Sequence, residues 1–209
     1  MTESPRERYR AQVREEIKRH AWEQIAAAGV PALSLNAIAK QVGMSGPALY
    51  RYFASRDELL TALIRDAYRS IADAVRGVRG QGFAMLAKVI QDWARADPQR
   101  YFLVYGTPVP GYHAPADTTA LSHEVMAVLI EACAELHEPE VPSPFEEHLE
   151  THREWAGDSG VSAGALHRAL AFWTRLHGVL SLELAGHFAG MKFDPDLLIA
   201  EELTALSLD

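Results

Sequence analysis

Apolar residues along this chain recur every three to four positions, and no stretch alternates apolar with polar residues over the length of a strand. That pattern predicts helices throughout. Tyr9, Val13, Ile17, Ala21, Ile25 and Ala28 form one stripe of a first helix over 6–28, and Gly29 stands where a glycine ends a helix. Leu35, Ile38, Ala39 and Val42 fall at i, i+3, i+4 and i+7. They give the apolar face of a short second helix over 34–43, with Ser34 as its N-cap and Gly43 at its end. A few residues on, Ser45 can cap a third helix over 46–53, whose Leu49 and Phe53 should pack inward. Ser55 and Glu58 have the S-x-x-E spacing of a capping box. They open a long fourth helix along Leu59, Leu60, Leu63, Ile64, Ala67, Ile71 and Val75, which ends near the glycines of GVRGQG.

The helical period continues to the C-terminus. Helices are predicted over 83–96, stopped by Asp97-Pro98, and over 98–105, short and strongly aromatic. Pro108, Pro110, Gly111 and Pro115 mark a loop. Further helices follow over 118–136, 162–188 and 195–206, and the polar, proline-bearing segment 137–160 reads as a connection with one short helix near 145–155. The expected fold is all-α: a head over 1–55, a connecting helix over 56–77 and a helical body over 80–209.

Two short helices joined by a turn of a few residues make the helix-turn-helix unit, whose second helix lies in the major groove of DNA. Within 10–62 the sequence carries S-x-x-x-I-A, G-x-S, L-Y-x-Y-F and S-R-D-x-L in that order. In this combination the run GMSGPALYRYFASRDELL resembles the DNA-binding domain of the tetracycline-repressor (TetR) family of transcriptional regulators. The resemblance implies double-stranded DNA as partner, with Tyr50 at the family's phosphate-contacting tyrosine and Arg56 at the Lys/Arg that grips the backbone. The residues themselves supply reasons. Ser34 at a helix N-terminus can meet a phosphate with its hydroxyl and backbone N–H, and Tyr50 and Tyr52 offer hydroxyls. Arg51, the one charged residue of the third helix, can donate to guanine or to phosphate. Where the family often carries polar or basic residues, this chain has Gly46, Pro47 and Ala48, which can touch thymine methyls and let the backbone approach closely but offer few hydrogen bonds. Part of the specificity should therefore come through DNA shape. With Ser45, these residues complete the expected DNA-facing set.

The net charge of −8 opposes DNA binding until the chain is divided. Residues 1–79 hold 13 Lys and Arg against 9 Asp and Glu, and residues 80–209 hold 7 against 19. A mildly basic head on an acidic body is compatible with local phosphate contacts. Arg6, Arg8, Arg10 and Arg14 crowd the start of the first helix, on the wrong side of its dipole. Phosphate contact and a solvated arm explain them equally well. The charged start MTESPRERYR is not a signal peptide, and no apolar run has the length of a membrane span, so a cytoplasmic protein without membrane contact is expected. The single cysteine, Cys133, excludes an internal disulfide and a Cys-rich zinc site, and its apolar surroundings read as a buried, inert thiol.

In the body, Trp173, His177 and Gly178 resemble a Trp-x-x-x-His-Gly type of C-terminal ligand-binding and dimerisation domain within the same family. The resemblance implies a homodimer on a palindromic operator and a small-molecule effector. Trp93, Tyr101, Phe102, Tyr105, Phe172, Trp173 and His177 are the candidate walls of an effector cavity; aromatics at helical spacing are equally the material of a core. Leu180, Leu182, Leu184, Leu197, Leu198, Leu203 and Leu206 are candidates for the interface. No metal or cofactor is expected: His148 and His152 share a helix face, but the glutamates beside them are not placed as in H-E-x-x-H and no third ligand is evident. There is no G-x-S-x-G elbow, phosphate loop or nucleotide-binding glycine pattern, so no enzyme is expected. The leading reading is a dimeric repressor released by a small molecule. Its competitors are a regulator of the same fold under a protein partner's control, and a helical small-molecule-binding protein or enzyme with a vestigial head.

Overall fold

A computed structural model describes residues 4–106, 108–110, 112, 115–134, 141–157 and 160–208. Among them the regular structure is ten α-helices and two short 3-10 turns, without strands. Helix α1, Pro5–Ala28, begins where Ser4 and Glu7 cap each other. The Ser4 hydroxyl accepts from the Glu7 N–H at 3.3 Å and the Glu7 carboxylate from the Ser4 N–H at 2.8 Å. Its buried stripe is Val13, Ile17, Ala21 and Ile25. Tyr9 and Ala28, expected on that stripe, are exposed, because the head core meets α1 only from Val13 to Ile25.

A 3-10 turn, Val30–Ala32, leads into α2, Leu35–Gln41, capped by Ser34. The end of α2 is fixed by two bonds, Met44 N–H to the Ala39 carbonyl at 2.8 Å and Gly43 N–H to the Lys40 carbonyl at 3.3 Å, with Gly43 at φ 68°. This helix stop needs a left-handed residue, which glycine adopts without a Cβ penalty. Helix α3, Gly46–Leu49, is a single turn, shorter than the expected 46–53. Beyond Leu49 the coil tightens into i to i+3 bonds, with Arg51 and Tyr52 donating to Ala48 and Leu49. Leu49 and Phe53 are both fully buried.

Helix α4, Arg56–Arg76, is capped by Ser55, and the Glu58 carboxylate reaches back past the cap to the Ala54 N–H at 2.6 Å. Its two ends serve different cores. Leu59, Leu60, Leu63 and Ile64 close the head core with α1, α2, Leu49 and Phe53, whereas Ala67, Ile71, Ala72 and Val75 belong to the body. The body adds α5 (Phe83–Ala96), α6 (Pro98–Tyr105), α7 (Ala116–Ala134), α8 (Pro144–Leu149), α9 (Ala163–Leu184) and α10 (Pro195–Leu208). Helix α4 packs on α5, α6 and α7, and α9 packs on α5, α7, α8 and α10. Leu103 of α6 crosses the divide and is buried in the head core, with Val109 and Tyr112 beside it. Thr61 and Tyr112 share a hydrogen bond between their hydroxyls at 3.1 Å.

Other expectations are adjusted by local chemistry. The short helix near 145–155 is α8, opened by a reciprocal Ser143–Glu146 cap, and is followed by the 3-10 turn Glu154–Ala156. Helix α9 stops at Leu184 rather than 188, because Gly186 at φ 81° takes the left-handed position after the cap and the His187 N–H closes on the Leu182 carbonyl at 2.9 Å. The expected ends of the 118–136 helix, Glu135 and Leu136, and the loop residue Gly111 lie outside the described residues. Leu180 and Leu206 are buried within the chain, whereas Leu182 and Leu197 are 45 % and 71 % exposed, so only the latter two of these four are open to a partner. Cys133 is fully buried, and desolvation pushes its thiol up to about 12. Among the described residues no helix is long and apolar enough to cross a membrane.

Leu103→Ala should lower global stability by about 2–5 kcal/mol, the cost of a cavity left by a buried leucine. It should also unlatch the head. Hydrogen exchange is expected to quicken in α1–α3 more than in α9, and equal effects on both would show that Leu103 does not join the two.

Candidate nucleic-acid interface and body cavities

The structure brings the sequence-predicted DNA-facing residues together around the helix-turn-helix. Ser34 is half-buried; its hydroxyl accepts from Ala37 N–H at 3.4 Å, and its own N–H donates to the Gln24 side chain at 2.9 Å. Ser45 stands at the N-cap of α3, yet its exposed hydroxyl makes no capping bond. Pro47 is exposed, and Gly46 and Ala48 are half-buried. A Cβ at Gly46 would sit 3.4 Å from Asn36 Oδ1, so glycine here lets α3 lie close against α2. Tyr50 is 46 % exposed and Arg51 is exposed, and among the described residues neither side chain has a hydrogen-bond partner. Tyr52 is instead half-buried against the head core.

Arg56 occupies a different environment from the one its motif implies. Its Nε donates to the Leu33 carbonyl at 3.2 Å and its Nη2 to the Val30 carbonyl at 2.8 Å, so most of the guanidinium holds the 3-10 turn. Nη1 remains, 3.9 Å from the Asp57 carboxylate.

Two of the crowded arginines of α1 also have an internal role that sequence reasoning missed. Arg10 donates to the Arg51 carbonyl at 3.2 Å, and Arg14 donates to the Tyr52 carbonyl while its guanidinium covers the Phe53 ring at 4.0 Å. Cations on the carbonyl end of α3 are electrostatically favourable, so charges poorly placed for their own helix serve the next one. The i, i+4 spacing of Arg10 and Arg14 was the available signal. Arg6 and Arg8 are exposed.

In the body, the predicted aromatic residues do meet, but most of them pack on each other. The Tyr105 ring lies 4.4 Å from His177, 5.3 Å from Trp173 and 6.4 Å from Trp93 between centroids. Trp173 and His177 are 4.0 Å apart. The Tyr101 hydroxyl bonds His177 Nδ1 at 2.9 Å and Ser181 Oγ at 2.8 Å, and Trp93 Nε1 donates to Ser70 at 3.1 Å. Phe172 is fully buried and stacks on Phe83 at 5.4 Å. Burial lowers the His177 imidazole to about 4 and raises the Tyr105 phenol. Two buried polar atoms in the cluster, Tyr105 Oη and His177 Nε2, have no partner among the described residues.

Two cavities beside α6 lie elsewhere, and of the seven aromatic-site residues Phe102 alone lines either of these two. A cavity of about 290 Å³ sits between α4, α6 and α7, walled by Ile64, Tyr68, Val104 and Tyr112 and edged by Thr118, Thr119 and Ser122. Thr118 is buried there, and among the described residues its hydroxyl has no partner. A second, of about 580 Å³, opens between head and body beside Arg56 and Phe102. Tyr68 and Thr118 carried no motif; only the folding of α4 against α7 puts them together. The expected effector-site residues Trp93, Tyr101, Tyr105, Phe172, Trp173 and His177 pack on one another or on neighbouring rings in this structure, and none of them lines either of these two cavities. Large rings at helical spacing interlock more readily than they leave a void. Among the described residues no group of three His, Cys, Asp or Glu is placed to hold a metal; His148 and His152 stack at 3.9 Å instead.

Known proteins share this arrangement. Residues 17–63 match the family described as bacterial regulatory proteins, tetR family, and residues 83–206 match the tetracyclin repressor-like C-terminal domain. The HTH-type transcriptional regulators Rv1816 of Mycobacterium tuberculosis and Mb1846 of Mycobacterium bovis are each 35 % identical over 207 residues, covering 90 % of this chain and 88 % of theirs. The solved structure of SCO4313 shares 61 % identity at a TM-score of 0.91, covering 97 % of this chain and 98 % of that one. A protein of unknown function from Rhodococcus sp. RHA1, 19 % identical with a TM-score of 0.67 over 92 % of each chain, shares the fold.

The aromatic cluster generates a pH prediction. The folded protein holds His177 neutral down to about 4, whereas the unfolded chain protonates it near 6.5. The unfolded state therefore binds more protons between those values. Stability is full above pH 6.5 and falls as the pH is lowered towards 4, by up to about 3 kcal/mol from this group. Melting curves of the wild type and His177→Gln across this range should converge as the pH falls; parallel curves would show that the imidazole is not held neutral.

Proposed function

The chain belongs to the TetR family of bacterial regulatory proteins and is a DNA-binding transcriptional regulator; from that premise we propose that it is a repressor, working as a homodimer on an inverted-repeat operator in the cytoplasm and released by a small molecule bound in the body. The observation that carries the DNA reading is the division of labour around α3. Leu49 and Phe53 are fully buried, while the Ser45 hydroxyl, the Tyr50 hydroxyl and the Arg51 guanidinium stand free at the surface. A helix whose apolar side is locked inward and whose polar side has no internal partner suits a major-groove reader.

Within this reading Ser34, Ser45, Tyr50 and Tyr52 meet phosphates, Gly46, Pro47 and Ala48 face base edges, and Arg51 donates to a base or phosphate. Arg56 acts mainly by positioning, with Nη1 left for the backbone. The functional division is a head over 1–55, the connecting helix 56–77 and a body over 80–209. The exposed Leu182 and Leu197 on α9 and α10 support pairing of these helices with a second copy, and Trp173, His177 and Gly178 support the Trp-x-x-x-His-Gly type of body. The effector site favoured by the geometry is the cavity between α4, α6 and α7, where among the described residues the buried Thr118 hydroxyl has no partner and can bond a ligand. That cavity supports small-molecule control over control by a protein partner alone. A second reading keeps the aromatic cluster as a site that opens only around a ligand, and the orphaned Tyr105 Oη and His177 Nε2 favour it.

Sedimentation at micromolar concentration should show a dimer; a lone 23 kDa species would sink the two-fold model. Tyr50→Phe and Arg51→Ala are expected to weaken operator binding with an unchanged melting temperature, Arg51→Ala by about 1–3 kcal/mol if it reads a base, or with a salt slope reduced by about one if it meets phosphate. Unchanged affinity in both would mean that α3 is not docked. Effector screening against Thr118→Val and Trp173→Ala separates the two body sites: loss of response in the first alone favours the α4/α6/α7 cavity, and in the second alone, at unchanged melting temperature, the aromatic cluster.

A further inference from the structure

The 580 Å³ cleft between head and body adjoins the α4/α6/α7 cavity, with which it shares Leu103, Pro108 and Val109, but its other walls give it its own chemistry. The head side is Val30 and Pro31 of the 3-10 turn together with Arg56, and the body side is Gln99, Phe102 and Leu103 of α6 with the Pro108–Pro110 stretch. We propose that this cleft is a binding site for an apolar carboxylate, a two- or three-ring body lying on the proline and Phe102 faces with its carboxylate on Arg56.

Several features select that class. Among the described residues Arg56 is the only ionisable one lining the cleft, so it offers one positive charge on mostly apolar walls. The guanidinium is held in place, with Nε and Nη2 bonded to the Leu33 and Val30 carbonyls, and Nη1 is left to donate. Its competitor is the Asp57 carboxylate, 3.9 Å away and 65 % exposed, an ion pair too weak and too solvated to hold it against a ligand in the cleft. Gln99 is half-buried and, among the described residues, makes no hydrogen bond, so its amide is a second polar contact. Pro31, Pro108 and Pro110 have fixed φ, which lowers the entropy lost when walls close on a ligand. The volume lies within the range of drug-sized ligand sites. A molecule there would touch the head through Val30 and Arg56 and the body through Phe102, and would rest on Leu103, which is buried in the head core. It would bridge the two parts directly, through Val30, Arg56 and Phe102, none of which lines the α4/α6/α7 cavity proposed above for the effector.

The test is calorimetric titration of the full-length protein with 2-naphthoate and, as a neutral probe of the same shape, 2-naphthamide. Naphthoate should bind at least about tenfold more tightly than the amide, the worth of one charge-assisted hydrogen bond, and more weakly as salt is raised. Gln99→Trp fills the cleft from α6. It should abolish naphthoate binding while the melting temperature and operator affinity of the unliganded protein stay unchanged; if that variant loses its melting transition, the smaller Gln99→Phe serves the same purpose. Thr118→Val should leave naphthoate binding intact, which keeps this site distinct from the effector cavity. The proposal is overturned by no binding at millimolar naphthoate, by equal affinity for acid and amide, by wild-type binding in the filled variant, or by loss of binding in Thr118→Val.

Discussion

The structure depends on one helix being buried twice. The N-terminal half of α4 supplies Leu59, Leu60, Leu63 and Ile64 to the head core, and its C-terminal half supplies Ala67, Ile71, Ala72 and Val75 to the body core. A rigid rod shared by two cores transmits rotation between them, because neither half can turn without disturbing packed side chains. Leu103 reinforces this from α6, a body helix that places one leucine among head residues. Trp22 and Tyr68 touch both cores. Any event in the body that moves α4 or α6 therefore reaches the helix-turn-helix through contacts already in place.

The head, in turn, is organised to hold a very short helix. Four residues of α3 cannot be stable alone. They are fixed by a left-handed Gly43 before them, by Leu49 and Phe53 buried beneath, and by Arg10 and Arg14 on the carbonyls that follow. Arg56 extends the same logic to the 3-10 turn. The basic charge of the head thus divides between holding the unit together and facing outward, and composition alone cannot separate these uses.

The body balances a closed centre against open margins. Its aromatic residues interlock around Tyr105 and cover most of His177, and this desolvation lowers the imidazole to about 4. Two of its open volumes lie beside α6: one next to Thr118 between α4, α6 and α7, and one between α6 and the head. Both spaces border Leu103, the residue that ties the two cores. Ligand-sized space and mechanical linkage therefore coincide.

The sequence by itself determined the helical fold, nearly every element, and the helix-turn-helix, because these rest on local signals: apolar spacing, caps such as Ser34 and Ser55, and a glycine where the chain must turn left-handed. It also identified Leu49 and Phe53 as inward and Tyr50 as outward, since a short helix has only one face to bury. It gave the aromatic residues of the body without saying whether they enclose a space. It placed Tyr9 on a buried stripe that ends before it, continued α9 past Gly186, and left the arginines of α1 without a partner. Those matters belong to the tertiary structure alone. Whether a ring lines a cavity or fills it, and whether an arginine meets a phosphate or the carbonyl of the next helix, depends on the angle and distance at which separate helices cross. That geometry arises from packing between residues far apart in the chain, and no local period or cap encodes it.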